Sequence, residues 1–174
     1  MGITKKIINK IEIMTPRKEL FLAVKDALNG IEGIEYVDIF RKQFNYPNET
    51  VLNYWTSALI RFRSIEYETM TEQFLEGEVK LDVILYCKEG WIEQYNNELM
   101  EIDLLDAIAE KLQFLKGIQF KPIQLLREGI EDESWDNTEI KLTESVVAYH
   151  QLFSTTIYHQ LKQRYQYQSL KNIN

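Results

Sequence analysis

Apolar residues fall at every second position through residues 79–87 (VKLDVILYC). Val79, Leu81, Val83, Leu85 and Cys87 share one face; Lys80, Asp82, Ile84 and Tyr86 share the other. A period of two marks a strand with one dry face. A strand of an all-parallel sheet is apolar on both faces, so the mixed second face predicts an antiparallel or mixed sheet, with helices on one side and water or a neighbouring subunit on the other. Residues 98–116 change the period. Ile102, Leu105, Ile108, Ala109, Leu112 and Leu115 recur at steps of three and four, which predicts an amphipathic helix. Asp103 and Asp106 suit its positive end and Lys116 its negative end, and Gly117 reads as the residue that stops it.

The same reading extends along the chain. Thr15 reads as an N-cap and Pro16 as the first helical residue. Leu20, Phe21, Val24, Ala27, Leu28 and Ile31 follow at helical spacing, and Gly30 and Gly33 close that helix. Residues 35–40 (EYVDIF) and 56–62 (TSALIRF) read as strands. In the second, Ala58, Ile60 and Phe62 face one way, and Leu59, Arg61 and Arg63 the other. Residues 41–54 hold Pro47 and Asn48 and read as a loop of unusual length. Residues 64–77 fit either a hairpin connection or an inserted turn of helix. Residues 118–128 are extended, with Pro122 marking a sheet edge or a strand entrance. An acidic turn at 131–137 (EDESWDN) then leads into an alternating run over 139–149, with Ile140, Leu142, Val146 and Ala148 on its dry face.

Both kinds of apolar period are satisfied by an α+β fold, in which two amphipathic helices pack on one face of a mainly antiparallel or mixed sheet. The expected organisation is an N-terminal arm or short helix over residues 1–15, the α+β domain over 16–150, and a C-terminal extension over 151–174. In that extension Phe153, Ile157, Leu161 and Tyr165 form an i, i+4 row if helical; if extended, residues 154–158 prolong the last strand. Either way, side chains such as Phe153 and Tyr158 are costly to leave exposed as one patch. They close the core or dock on a second subunit.

Composition narrows the functions. An apolar fraction of 45% in 174 residues supports a core without staples. The net charge of −7 argues against capture of nucleic acid or of an anionic membrane. The single cysteine, Cys87, excludes an intrachain disulfide and reads as a small buried hydrophobe. No apolar run approaches a spanning helix, and MGITKK starts neither a signal core nor a myristoylation motif. Assembly in a reducing interior is the expectation. His150 and His159 are too far apart for a helical metal pair, and no nucleophile elbow, phosphate loop or HExxH occurs. Glu131, Asp132, Glu133 and Asp136 attract a divalent ion in principle, but lack the EF-hand spacing. No metal, cofactor or catalytic residue is expected.

Four pieces in order carry a family resemblance: the helix around residues 20–28, the TSALIRF strand, the VKLDVILYC strand followed by IDLLDAIAEKL, and the EDESWDN turn before a long alternating strand. Together they resemble the tail-terminator (tail-completion) proteins of long-tailed bacteriophages over residues 16–149. The resemblance implies a structural virion protein: a homo-oligomeric ring, usually a hexamer, that caps the tail tube, stops its polymerisation and joins it to the neck or head connector. DNA passes through such a ring without sequence-specific binding. Carried onto this chain, Asp132, Asp136 and Asn137 orient the acidic turn, and Arg61, Arg63, Lys80 and Asp82 lie on the sheet face available to neighbours or the channel. On that view charge reversal at Arg61 and Arg63 spares folding but weakens ring closure. Three rivals stay open: a dodecameric connector or neck ring, a structural subunit of a contractile secretion or injection device, and a small metal-dependent hydrolase or nuclease using the acidic turn.

Overall fold

The computed structural model describes residues 14–43, 53–88, 90–130 and 146–161. The fold is α+β. Helix α1 (Pro16–Asn29) is followed by strand β1 (Tyr36–Ile39), the long strands β2 (Thr56–Thr71) and β3 (Phe74–Lys88), the short helix α2 (Trp91–Tyr95), helix α3 (Met100–Leu112), and strands β4 (Gln124–Ile130) and β5 (Val146–Gln160). The five strands form one sheet in the order β1-β2-β3-β5-β4. β1 runs parallel to β2; every other pairing is antiparallel, which makes the sheet mixed.

Local chemistry explains most of these boundaries. Thr15 caps α1 by accepting the Lys18 N–H, and Pro16 opens the helix. Gly33 sits at φ 93°, a backbone region open to glycine, and turns the chain from α1 into β1. β2 and β3 join through Glu72 and Gln73, and the Thr71 hydroxyl accepts both the Gln73 and Phe74 N–H groups. Residues 64–77 are therefore a hairpin. Helix α3 stops at Leu112, short of Gly117, because the chain folds back on itself: the Phe114 N–H donates to the Ile123 carbonyl and the Ile123 N–H to the Leu115 carbonyl.

The main core lies between the helices and one face of the sheet. Leu20, Val24 and Leu28 of α1 and Met100, Leu104, Ile108 and Leu112 of α3 meet Val79, Leu81, Val83, Leu85 and Cys87 of β3. Fully burying each such side chain contributes about 1.5–3 kcal/mol. The expected helical stripe is displaced: Ile102 is 52% exposed, and the buried row starts from Met100 and Leu104. On β2 the core-facing positions are Ala58 and Ile60, with Phe62 partly buried, and then Ile65 and Tyr67. The parity switches because the register skips Arg63. A β-bulge adds one residue and moves the following side chains to the other face.

β5 runs straight through residue 150, so residues 151–160 belong to the sheet and no boundary falls there. Phe153 and Ile157 are fully buried in the main core. Ala148, on the dry face expected for the run over 139–149, is buried on the opposite side of the sheet, with Leu59, Ile84 and Tyr86. That opposite face carries a second, smaller core, packed at its edge by Tyr36 and Phe40. The middle of β3 is thus buried on both faces, where water or a neighbour was expected on one. No helix among the described residues is long and apolar enough to cross a membrane.

Replacing Ile108, which has no exposed surface, with Ala is expected to cost about 2–5 kcal/mol. Replacing the exposed Ile102 with Ala is expected to stay within about 0.5 kcal/mol. Urea unfolding of the two variants measures the difference, and equal losses would contradict the α3 orientation.

Candidate functional site

The face of the sheet opposite the helices is built in cross-strand rows. Ser57, Tyr86 and Ala148 form one row; Leu59, Ile84, His150 and Gly129 the next; Arg61, Asp82, Leu152 and Arg127 the third. The third row places a charged cluster in the centre of the sheet. Asp82 has no exposed surface, and its Oδ2 accepts Arg61 Nε at 3.0 Å and Arg61 Nη2 at 2.6 Å. Arg63 Nε lies 3.4 Å from the same oxygen. The bulge that skips Arg63 is what allows two arginines of one strand to converge on one carboxylate. The Arg61 guanidinium also stacks over the Phe40 ring, 5.3 Å from its centroid, a contact that adds a favourable cation–π term.

His150 is buried beside this cluster. Burial pushes its pKa down to about 4; Asp82 opposes that shift, and Arg61, Arg63 and Arg127 add to it. The imidazole is therefore neutral near pH 7. An unfolded chain protonates His150 near its ordinary value of 6.5. Between those two values the unfolded state binds more protons, so this group's contribution to stability is present above pH 6.5 and is lost as pH falls towards 4.

The sequence-derived candidates do not all come together. Arg61, Arg63 and Asp82 come together as one cluster. Lys80 shares their face but pairs with Glu78 two residues away, towards the hairpin. Phe153 sits on the helix side with no exposed surface, used up by the chain's own core. Tyr158 is 37% exposed and lies under Lys121, whose Nζ is 5.4 Å from the ring centroid. Asp132, Asp136 and Asn137 lie outside the described residues. The residue that sequence reasoning missed is His150. Its signal was the register that sets it one row from Asp82, which the linear sequence does not display.

Chemically the cluster is suited to holding the sheet together and to presenting guanidinium groups at its rim. Arg61 and Arg63 keep 16% and 28% of their side chains exposed. Among the described residues no group of three or more His, Cys, Asp or Glu is placed to hold a metal ion. Cys87 is buried, and burial first, then the Glu101 carboxylate, pushes its thiol up to about 12. The nucleophilic thiolate form is therefore suppressed. Comparison with known proteins finds no family model that matches the chain and no curated protein that matches it.

The geometry revises what a charge reversal at Arg61 does. Arg61→Glu sets a second carboxylate against a fully buried one. Removing one partner of a buried pair costs about 3–5 kcal/mol, so Arg61→Ala and Arg61→Glu are both expected to lower the unfolding free energy on that scale. The joint replacement Arg61→Met with Asp82→Leu is expected to recover most of the loss, as a double-mutant cycle in urea would measure. A second measurement concerns pH. Stability of the intact chain should fall between pH 6.5 and 4 by on the order of 3 kcal/mol more than that of His150→Leu. Parallel pH profiles of the two would refute the buried neutral imidazole.

Proposed function

We propose that this chain is a ring-forming structural subunit of the tail-terminator type, which closes the end of a tail tube and joins it to the neck or head connector. The observation that carries the reading is the order and sidedness of its elements. Helix α1, the TSALIRF segment of β2, and β3 followed by α3 occur in the order on which the family resemblance rests, with both helices on one face of the sheet. A long strand, β5, completes the set. The acidic turn that precedes it lies outside the described residues.

Features of the surface support an assembly role. The β2–β3 hairpin carries Met70 and Phe74 at its tip, 59% and 42% exposed. Apolar groups held in water at the end of a long hairpin are suited to burial against another subunit. A ring closes when each subunit offers one surface to the next and the rotation returns to the start. One ring face then matches the last layer of tube subunits. The other recruits connector protein instead of further tube, and polymerisation ends. The net charge of −7 suits a channel through which DNA passes without adhering. Function in this reading is assembly into the virion, without turnover.

Analytical ultracentrifugation and negative-stain microscopy of the full chain, alone and with tail tubes, test the proposal. The expected particle is a closed hexameric ring found at tube ends; a chain that stays monomeric with tubes present overturns the reading, and twelve copies favour the connector. Met70→Ser with Phe74→Ser is expected to leave the unfolding midpoint nearly unchanged and to shift the ring towards smaller species.

A further inference from the structure

Beyond Lys80 the helix-free face continues onto the stem of the hairpin, where its composition changes sign. Glu66 lies directly opposite Glu78, and Glu68 directly opposite Glu76. Like charges in cross-strand register oppose the pairing of the strands that carry them, so this stem calls for counter-charge. The fold supplies part of it: Lys80 pairs with Glu78, and Lys121 reaches Glu76 at 2.9 Å. Glu66 and Glu68 are exposed and make no ion pair among the described residues. These four carboxylates, with Lys121 and Gln124, line an open groove of about 670 Å³.

The described chain begins beside Gln119, two residues before Lys121 of that groove. Gln119 Nε2 donates to the Met14 carbonyl at 2.7 Å. The Gln119 carbonyl in turn accepts the Tyr158 N–H at 2.9 Å, and Tyr158 lies beneath Lys121 on the groove wall. The segment before Met14 (MGITKKIINKIEI) holds Lys5, Lys6 and Lys10 against one carboxylate, Glu12, in a chain that is acidic as a whole. Fully extended, thirteen residues reach roughly 43–47 Å, longer than the hairpin stem.

We propose that the acidic stem of the β2–β3 hairpin is the docking surface for the lysine-bearing N-terminal segment of the same chain. Sequence supplies the complementary charge, and the position of Met14 supplies the reach. Exposed ion pairs are individually weak. The tether offsets this, because a segment joined at the rim of its own site meets it at a high effective concentration. Screening at high salt releases it. Docking of this kind holds for a monomer and for a ring alike.

The test uses the full chain with a nitroxide at Thr4→Cys; Cys87 is buried and stays unlabelled. Amide signals of residues 66–78 are expected to broaden severalfold, and to sharpen in about 1 M salt, where the Debye length is about 3 Å. Glu66→Lys with Glu68→Lys should abolish the broadening while sparing the fold, since each new lysine faces a glutamate across the hairpin. A sample of labelled chain mixed with unlabelled, nitrogen-15-enriched chain should show none. Unperturbed hairpin amides in the labelled chain overturn the proposal, as does broadening indifferent to the lysine substitutions. Broadening in the mixed sample also overturns it, making the occupant a second copy.

Discussion

Strand β3 is hydrogen-bonded on both edges, to β2 on one side and to β5 on the other, along nearly all of its fifteen residues. From Leu81 to Cys87 it is also buried on both faces. A strand in that position has no route to water for any polar group it carries. The backbone groups are satisfied by the two ladders. The side chains are apolar, with Asp82 the one charged member of the buried stretch. The rest of the sheet is arranged around that carboxylate, because an ionised group is tolerated in such a place only when it is paired and hydrogen-bonded.

The pairing is achieved by an irregularity. A regular β2 would bring Arg61 to Asp82 and send the following residues on in strict alternation. The bulge at Arg63 adds a second guanidinium to the same oxygen and reverses the parity of everything beyond it. The outcome has two sides. Towards the helices, Ile65 and Tyr67 continue the apolar face that Ala58 and Ile60 began. Away from them, Glu66 and Glu68 line up across from Glu78 and Glu76. One inserted residue thus closes the buried cluster and creates the acidic stem. A neutral His150 completes the row next to the charge, where its protonated form would face three arginines.

These features give the molecule two kinds of surface. The helix side is fully committed to the main core, and Phe153 and Ile157 of the last strand are spent there. The hairpin extends the sheet past that core and offers carboxylates along its stem and apolar side chains at its tip. A body with a closed core at its centre and exposed charged and apolar groups on an extension is the basis of the assembly role proposed above.

The sequence by itself determined the α+β class, the α1 cap at Thr15, the dry face of β3 and the burial of Cys87. Each follows from periodicity or capping chemistry that acts within a few residues. It also determined that Arg61 and Asp82 lie on the sheet faces opposite the main core. Tertiary structure decided the rest. A four-residue step keeps Phe153 and Ile157 on one face of a helix and equally on one face of a strand, so spacing alone left residues 151–160 open; pairing with β3 made them strand. Ile102 and Leu104 both fit a helical stripe, and docking against the sheet selected Leu104. Alternation broke after Phe62 and hid the hairpin, because a bulge is a property of two strands in register and not of one. The convergence of Arg61, Arg63, Asp82 and His150 depends on that same register between segments far apart in the chain, and only the folded sheet brings them into adjacent rows.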